Sequence, residues 1–156
     1  MEVLALYKQV EEYARPRMLQ NLAQLSPEEF VRELPGIAWG SIRNCLVHIP
    51  GAENHWIKRV LQGRVEETLG RPEDYHSVEA VRARWEEVAA ETKRFLGTFT
   101  AEQLTEIRPY QWRGEAMHLR ADFVVLHILT HEFHHKGQLM MALRSLGYGV
   151  EETDLL

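Results

Sequence analysis

Apolar residues recur every three or four positions along most of the chain, which is the spacing of one face of an α-helix. This pattern predicts four long helices, over residues 3–25, 39–61, 78–96 and 120–146. Pro16 and Pro50 lie inside the first two, where we expect a kink or a bend. Four long helices with little strand between them favour an all-α fold, a four-helix bundle.

Shorter elements are predicted in the connections between these helices. Ser26 stands before a proline and two glutamates, as at the capped start of a short helix. Thr100 begins a capping-box pattern, which predicts another short turn of helix. Residues 107–119 are the only segment that suggests strand pairing, as a small hairpin that turns at residues 113–114. Residues 64–76 read as a loop.

The length of 156 residues suits one domain with a real core and is too short for two, so we expect a single domain over residues 1–156. The net charge is -5, and no block of Lys or Arg occurs, which argues against a nucleic-acid partner. Cys45 is the only cysteine, which excludes an intramolecular disulfide and favours a reducing compartment. No apolar run of about 18 residues is present, so we expect a cytoplasmic protein that has no membrane partner.

Histidines are concentrated in the last predicted helix. The stretch HILTHEFHHKGQ, residues 127–138, holds four of the eight histidines in the chain. At about 100° per residue, His131 and His135 lie about 40° apart within the apolar stripe, so both point into the bundle. Two imidazoles one turn apart on the same side can bind one divalent ion. His127 and His134 fall on the shoulder of the stripe, at its edge or partly in water.

A third ligand would have to come from another helix. His48 is the best candidate because Cys45 and Ala52 lie on the adjoining arc of its own helix. His55, two turns further on, is the alternative. Three neutral imidazoles suit Zn, Ni, Cu or Fe and leave coordination positions for water or substrate. The remaining two histidines, His76 and His118, lie in predicted loops or turns and are not assigned to the site.

The five residues from His131 to His135 also match the HExxH pattern of zinc peptidases. The longer pattern of one peptidase class needs Gly and His at positions where this chain has Gln138 and Met141. Glu132 projects about 100° away from His131, and no clear edge strand is available to hold a peptide. We therefore reject the peptidase interpretation and regard the His-Glu adjacency as accidental.

The segment SIRNCLVHI with His48, and HILTHEFHHKGQLMMALRSLG with His131 and His135, resemble the DinB/YfiT-like superfamily of metal-binding four-helix bundles. The closing LGYGVEETDLL is similar to the end of that family. The resemblance implies one divalent metal, usually zinc or nickel, held by His48, His131 and His135, often in a homodimer. Lys136 stands where the family usually has Arg, which removes a bidentate guanidinium and leaves the metal site untouched.

Some members of that superfamily are transferases or isomerases that use a low-molecular-weight thiol such as bacillithiol, mycothiol or glutathione. The resemblance therefore favours a metal-dependent S-transferase, or a related hydrolase or isomerase, that presents a thiolate or hydroxide to a small-molecule substrate. Gln138 and His127 are candidates for orienting a ligand or transferring a proton, and Glu53 and Trp56 for lining the pocket. The alternative is a metal-binding or dimeric interaction protein without catalysis.

Overall fold

The computed structural model describes residues 3–64 and 69–155, and its helices are numbered here in chain order. Residues 65–68 of the predicted loop lie outside the described residues. The helices are α1 (Val3–Gln9, a π-helical turn Val10–Ala14, and Arg15–Leu22), α2 (Pro27–Val31), α3 (Ile42–His55, continued by the π-helical Trp56–Leu61), α4 (Val78–Leu96), α5 (Ala101–Thr105) and α6 (Ala121–Ser145). Short 3-10 turns are Ala38–Gly40 and Pro72–Asp74, and the two strands are β1 (Ile107–Trp112) and β2 (Glu115–Arg120).

The four long helices form the bundle that the apolar pattern predicts. Helices α1 and α3 each pack against both α4 and α6, which closes the four-helix arrangement. Two apolar clusters fill it, one around Leu46 and Trp85 and the other around Tyr7 and Ile128. Within the described ranges, no helix has the length and apolarity that a membrane crossing requires.

The predicted kink at Pro16 takes the form of a π-helical turn directly before it. A proline inside an α-helix lacks the N–H donor, and its ring clashes with the carbonyl one turn back. Here the N–H of Arg15 donates to the carbonyl of Val10, five residues back, which is the wider π spacing. The side chain of Arg15 is buried in the bundle.

Local sequence signals at the short elements are confirmed. Both capping boxes form, with the hydroxyls of Ser26 and Thr100 each accepting from a backbone N–H three residues on. Strands β1 and β2 pair as an antiparallel hairpin. Arg113 and Gly114 at its turn have φ of 51° and 87°, the left-handed conformations that a two-residue type I′ turn needs. The hairpin leads directly into α6, which carries the histidines.

Candidate metal centre

Three histidines bring their Nε2 atoms together on one side of the bundle. The Nε2 of His131 lies 2.9 Å from that of His48 and 3.2 Å from that of His135. Zinc–nitrogen bonds of about 2.0–2.1 Å in a tetrahedral site separate neighbouring nitrogens by roughly 3.3 Å. Among the described residues, these three form the one group of His, Cys, Asp or Glu side chains placed closely enough to hold a metal ion. The arrangement therefore fits three of the four ligand positions of a tetrahedral metal site.

The packing of α3 against α6 selects which histidines meet. His131 and His135 are one turn apart on α6, and His48 faces them from α3. His55, the alternative third ligand, lies elsewhere, with its Nε2 2.7 Å from the hydroxyl of Tyr110 on β1. His48 is thus the histidine of α3 that joins the pair.

Burial keeps these imidazoles neutral. It lowers the pKa of His48 to about 4 and that of His131 to about 3, and proximity to His135 adds to both shifts. Burial also lowers the pKa of His135, although a hydrogen bond with Gln138 opposes this shift. A metal ligand must be a neutral imidazole, so each of the three is in the form that binds a divalent cation at neutral pH.

Gln138 orients one of the three rings. Its Oε1 lies 2.8 Å from Nδ1 of His135. Because an amide oxygen can only accept, Nδ1 of His135 carries the proton and donates it, and Nε2 is left with its lone pair facing the other two histidines. The amide nitrogen of Gln138 lies 3.1 Å from Nε2 of His134, which is exposed as expected for a shoulder position. This contact is of the kind by which a neighbouring side chain orients a metal-ligating histidine.

Cys45 lies behind His135, one turn before His48 on α3. Its Sγ is 3.6 Å from Nδ1 of His135, the ring nitrogen that faces away from the cluster. Burial raises the pKa of the Cys45 thiol to about 12. Since Sγ approaches Nδ1 of His135 and not the converging Nε2 atoms, Cys45 lies outside the three-histidine group. The donor set consists of three imidazoles.

Aromatic rings flank the histidines on both sides. The ring of Trp39 lies 4.3 Å from that of His48, between centroids, and Trp39 is 57% exposed. On the other side the ring of His127 lies 5.6 Å from that of His131 and 4.9 Å from that of Trp56. His127 is exposed at the edge, as its helical angle predicts.

Trp39 is a residue of this site that the sequence did not reveal. The apolar pattern predicts that a helix begins at Trp39, but the structure places this residue in a 3-10 turn, and α3 starts at Ile42. Its φ of 65° is left-handed, a conformation that costs a bulky residue on the order of 1 kcal/mol or more. The side-chain amide of Asn44 donates to the carbonyl of Trp39 at 3.0 Å and stabilises the turn. Backbone strain beside a cluster of this kind is typical of functional sites.

A buried ion network joins three of the helices in the bundle interior. It consists of Arg15 on α1, Glu53 on α3 and Glu132 on α6. Arg15 donates from Nη2 and Nε to the two oxygens of Glu132 at 2.8 and 3.0 Å, and from Nη2 to Glu53 at 3.3 Å. All three side chains are at most 6% exposed. The guanidinium counteracts the burial that raises the pKa of Glu132.

The position of Glu53 differs from the expectation that it lines the pocket. Its carboxylate also accepts from three buried donors, at distances of 2.5 to 2.9 Å: Tyr7, Trp85 and Thr92. Glu53 follows His48 by five residues, which is about 140° around the helix, so it faces the interior. Glu132 on α6 likewise faces the interior and not the histidines. His131 and Glu132 do not act together as a peptidase pair, because His131 belongs to the histidine cluster and Glu132 to the ion network.

Lys136 faces away from the histidines. Its Nζ donates to the carbonyl of Thr153 at 2.7 Å and lies 3.4 Å from the carboxylate of Asp154. It therefore holds the segment after α6 against the bundle. Its place agrees with the expectation that Lys instead of Arg at position 136 leaves the three-histidine cluster unchanged.

Comparison with known proteins places the chain in a family. Residues 1–156 match the DinB family over their whole length. The uncharacterized protein YizA of Bacillus subtilis (strain 168) is 31% identical over 124 residues, which make up 79% of this chain and 75% of that protein.

Solved structures show the same fold. A conserved protein from Enterococcus faecalis superposes with a TM-score of 0.71 at 18% identity, covering 95% of this chain and 99% of that one. A DinB-like protein from Bacillus cereus ATCC 10987 superposes with a TM-score of 0.67 at 22% identity, covering 94% of each chain. Together with the match along its full length, these findings show that the chain belongs to the DinB family.

Proposed function

We propose that this protein is a metal-dependent enzyme that binds one zinc or nickel ion through His48, His131 and His135. The observation that carries the proposal is the approach of three Nε2 atoms, 2.9 and 3.2 Å apart, from neutral imidazoles. A divalent ion held by three protein ligands lowers the pKa of a thiol or water in its remaining position and makes it a nucleophile at neutral pH. The reaction class we favour is transfer of a low-molecular-weight thiol to a small electrophile.

The residues around the cluster support this chemistry. Gln138 holds His135 in the tautomer that leaves Nε2 free to coordinate. Trp39 and Trp56 provide apolar surface beside the histidines, which reduces access of water from two sides. His127 stands at the edge with much of its ring exposed, and the partial burial of the ring lowers its pKa, so it is neutral and can accept the proton of an incoming thiol.

Metal analysis tests the ligand assignment. We expect the purified protein to contain about one zinc or nickel ion per chain and the His48→Ala and His135→Ala variants to bind it more than about 100-fold more weakly. His118→Ala, which changes an exposed histidine on β2, is the matched control and should bind as wild type does. Full metal content in the His48→Ala variant would refute the assignment.

Cobalt substitution and a thiol screen then separate catalysis from a purely structural metal. A catalytic site keeps one position for water or thiol, so the visible spectrum of the cobalt-loaded protein should change when bacillithiol, mycothiol or glutathione is added. Thiols that change the spectrum are next tested for consumption with small electrophiles. A spectrum that no thiol alters would favour the structural alternative.

Three exposed apolar side chains on α6 support assembly as a homodimer. Phe123, Leu126 and Met141 are 60, 52 and 63% exposed. Phe123 and Met141 are five helical turns apart and so lie on the same face, with Leu126 about 60° away. A self-complementary helix face of this kind suits an isologous contact with a second copy. Light scattering tests this assembly. The wild type should be a dimer and the Met141→Glu variant a monomer, because a charge would be buried in the contact. A wild type that is already monomeric would contradict the proposal.

A further inference from the structure

A cavity of about 300 Å³ lies beside the cluster, between the turn that carries Trp39 and the face of α3 that carries His48. The residues that matter for its chemistry are Trp39, His48, Gly51, Asn54 and Leu69. The described residues that line it include no Asp, Glu, Lys or Arg. The described lining therefore offers no charged side chain to pair with a phosphate, carboxylate or ammonium group.

One wall of the cavity is an aromatic surface. The indole of Trp39 packs on the ring of His48 with an angle of 33° between the planes, yet more than half of Trp39 stays exposed. Keeping this indole in place requires the left-handed φ of 65° at Trp39. An exposed indole in a strained turn beside a coordinating residue is a platform on which a flat group can stack.

The lining also includes Gly51, where no side chain projects. Gly51 is on α3, three residues after His48, and among the described residues a Cβ added there would meet Cδ1 of Leu69 alone, at 3.8 Å. A glycine inside a helix is less favourable than alanine, so the empty space at Gly51 is not explained by the needs of the helix. The volume is at the lower end of the roughly 300–1,000 Å³ range of ligand pockets, which suits one ring with a small substituent.

We propose that this cavity binds a neutral, planar, single-ring part of the substrate, stacked on Trp39 and passing over Gly51. The inference rests on the proposed function, because it makes the cavity the subsite next to the metal ligand His48. The side-chain amide of Asn54 on the wall suits a neutral polar substituent such as an amide or carbonyl. Trp39 and Gly51 are then specificity-determining residues of the enzyme.

A titration followed by NMR tests the subsite with and without added zinc. The probes are benzamide, which is a neutral ring with an amide, benzoate, which adds a charge, and acetamide, which lacks the ring. We expect benzamide to shift the resonances of Trp39, His48 and Gly51 and to bind more tightly than either of the other two. Equal affinity for acetamide, or shifts confined to the groove that contains Gly137 and Met141, would overturn the proposal.

Variants sharpen the test. Gly51→Leu fills the cavity and should weaken benzamide binding by at least about 10-fold while metal content is unchanged. Ala83→Leu adds the same side chain at an exposed position of α4 and should bind as wild type does. Trp39→Ala should weaken binding by about 3- to 10-fold and Trp39→Phe by less, because a phenyl ring still stacks. Unchanged binding in Gly51→Leu, with its helical spectrum intact, would overturn the subsite.

The two proposals fail separately. If the protein binds benzamide at Trp39 but no metal at His48, the proposed function is wrong and the aromatic cavity stands as a binding site. If it binds metal with the expected variant pattern but benzamide no better than acetamide, the subsite is wrong and the metal centre stands.

Discussion

Neighbouring residues on α6 serve different parts of this molecule. His131 belongs to the metal centre, while Glu132, about 100° further around the helix, accepts from Arg15 in the interior. His135 is likewise flanked by the exposed His134 and by Lys136, which contacts the segment after the helix. Helical angle therefore decides the role of each residue in this histidine-rich stretch.

The thiol of Cys45 gives a prediction for one residue. Because burial raises its pKa to about 12 and its side chain is 0% exposed, we expect a thiol reagent such as DTNB to modify native protein far more slowly than unfolded protein. The Cys45→Ala variant should keep the metal content of wild type, since Sγ faces Nδ1 of His135 and not the converging Nε2 atoms. Loss of metal in that variant would make Cys45 a ligand.

At the scale of helices and turns, the sequence predicts whatever depends on local pattern. The helical stripes place His131 and His135 inside and His127 at the edge, and the N-cap at Ser26 and the capping box at Thr100 form as expected. Local pattern could not predict the ion network, because Arg15 and Glu132 are 117 positions apart and meet only after α1 and α6 have packed. The place of Trp39 was not predicted either, because the apolar pattern assigns it to the start of a helix and the chain forms a strained turn there.

The buried ion network is the contact between helices whose loss should cost most. Arg15→Met leaves the carboxylates of Glu53 and Glu132 buried without their cation, which should lower the free energy of unfolding by about 3–5 kcal/mol. Adding Glu132→Leu should restore much of this, because Glu53 keeps its other three donors.

Urea denaturation at equilibrium measures these changes. Arg82→Met is the matched control, because Arg82 pairs with Glu86 on the exposed face of α4 and its loss should cost no more than about 1 kcal/mol. An Arg15→Met variant as stable as this control would show that the network contributes little to the fold.

For the molecule as a whole, the proposed metal links two helices that are distant in sequence. His48 on α3 and the pair on α6 are 83 or more positions apart, so their geometry exists only in the folded bundle. An ion that binds the native state and not the unfolded chain stabilises the fold by about 4 kcal/mol when its free concentration is 1,000 times Kd. Metal binding should therefore be measurable as a gain in thermal stability.

We expect added zinc or nickel to raise the Tm of protein freed of metal by a chelator, by roughly 8–16 °C for about 4 kcal/mol in a domain of this size. His48→Ala should abolish the increase, whereas His118→Ala should retain it, since His118 lies on the hairpin away from the converging nitrogens. An equal increase in both variants would mean that the ion stabilises the bundle from another place. A normal increase in Gly51→Leu would show in addition that the aromatic cavity and the metal centre, although they share His48, bind their ligands independently.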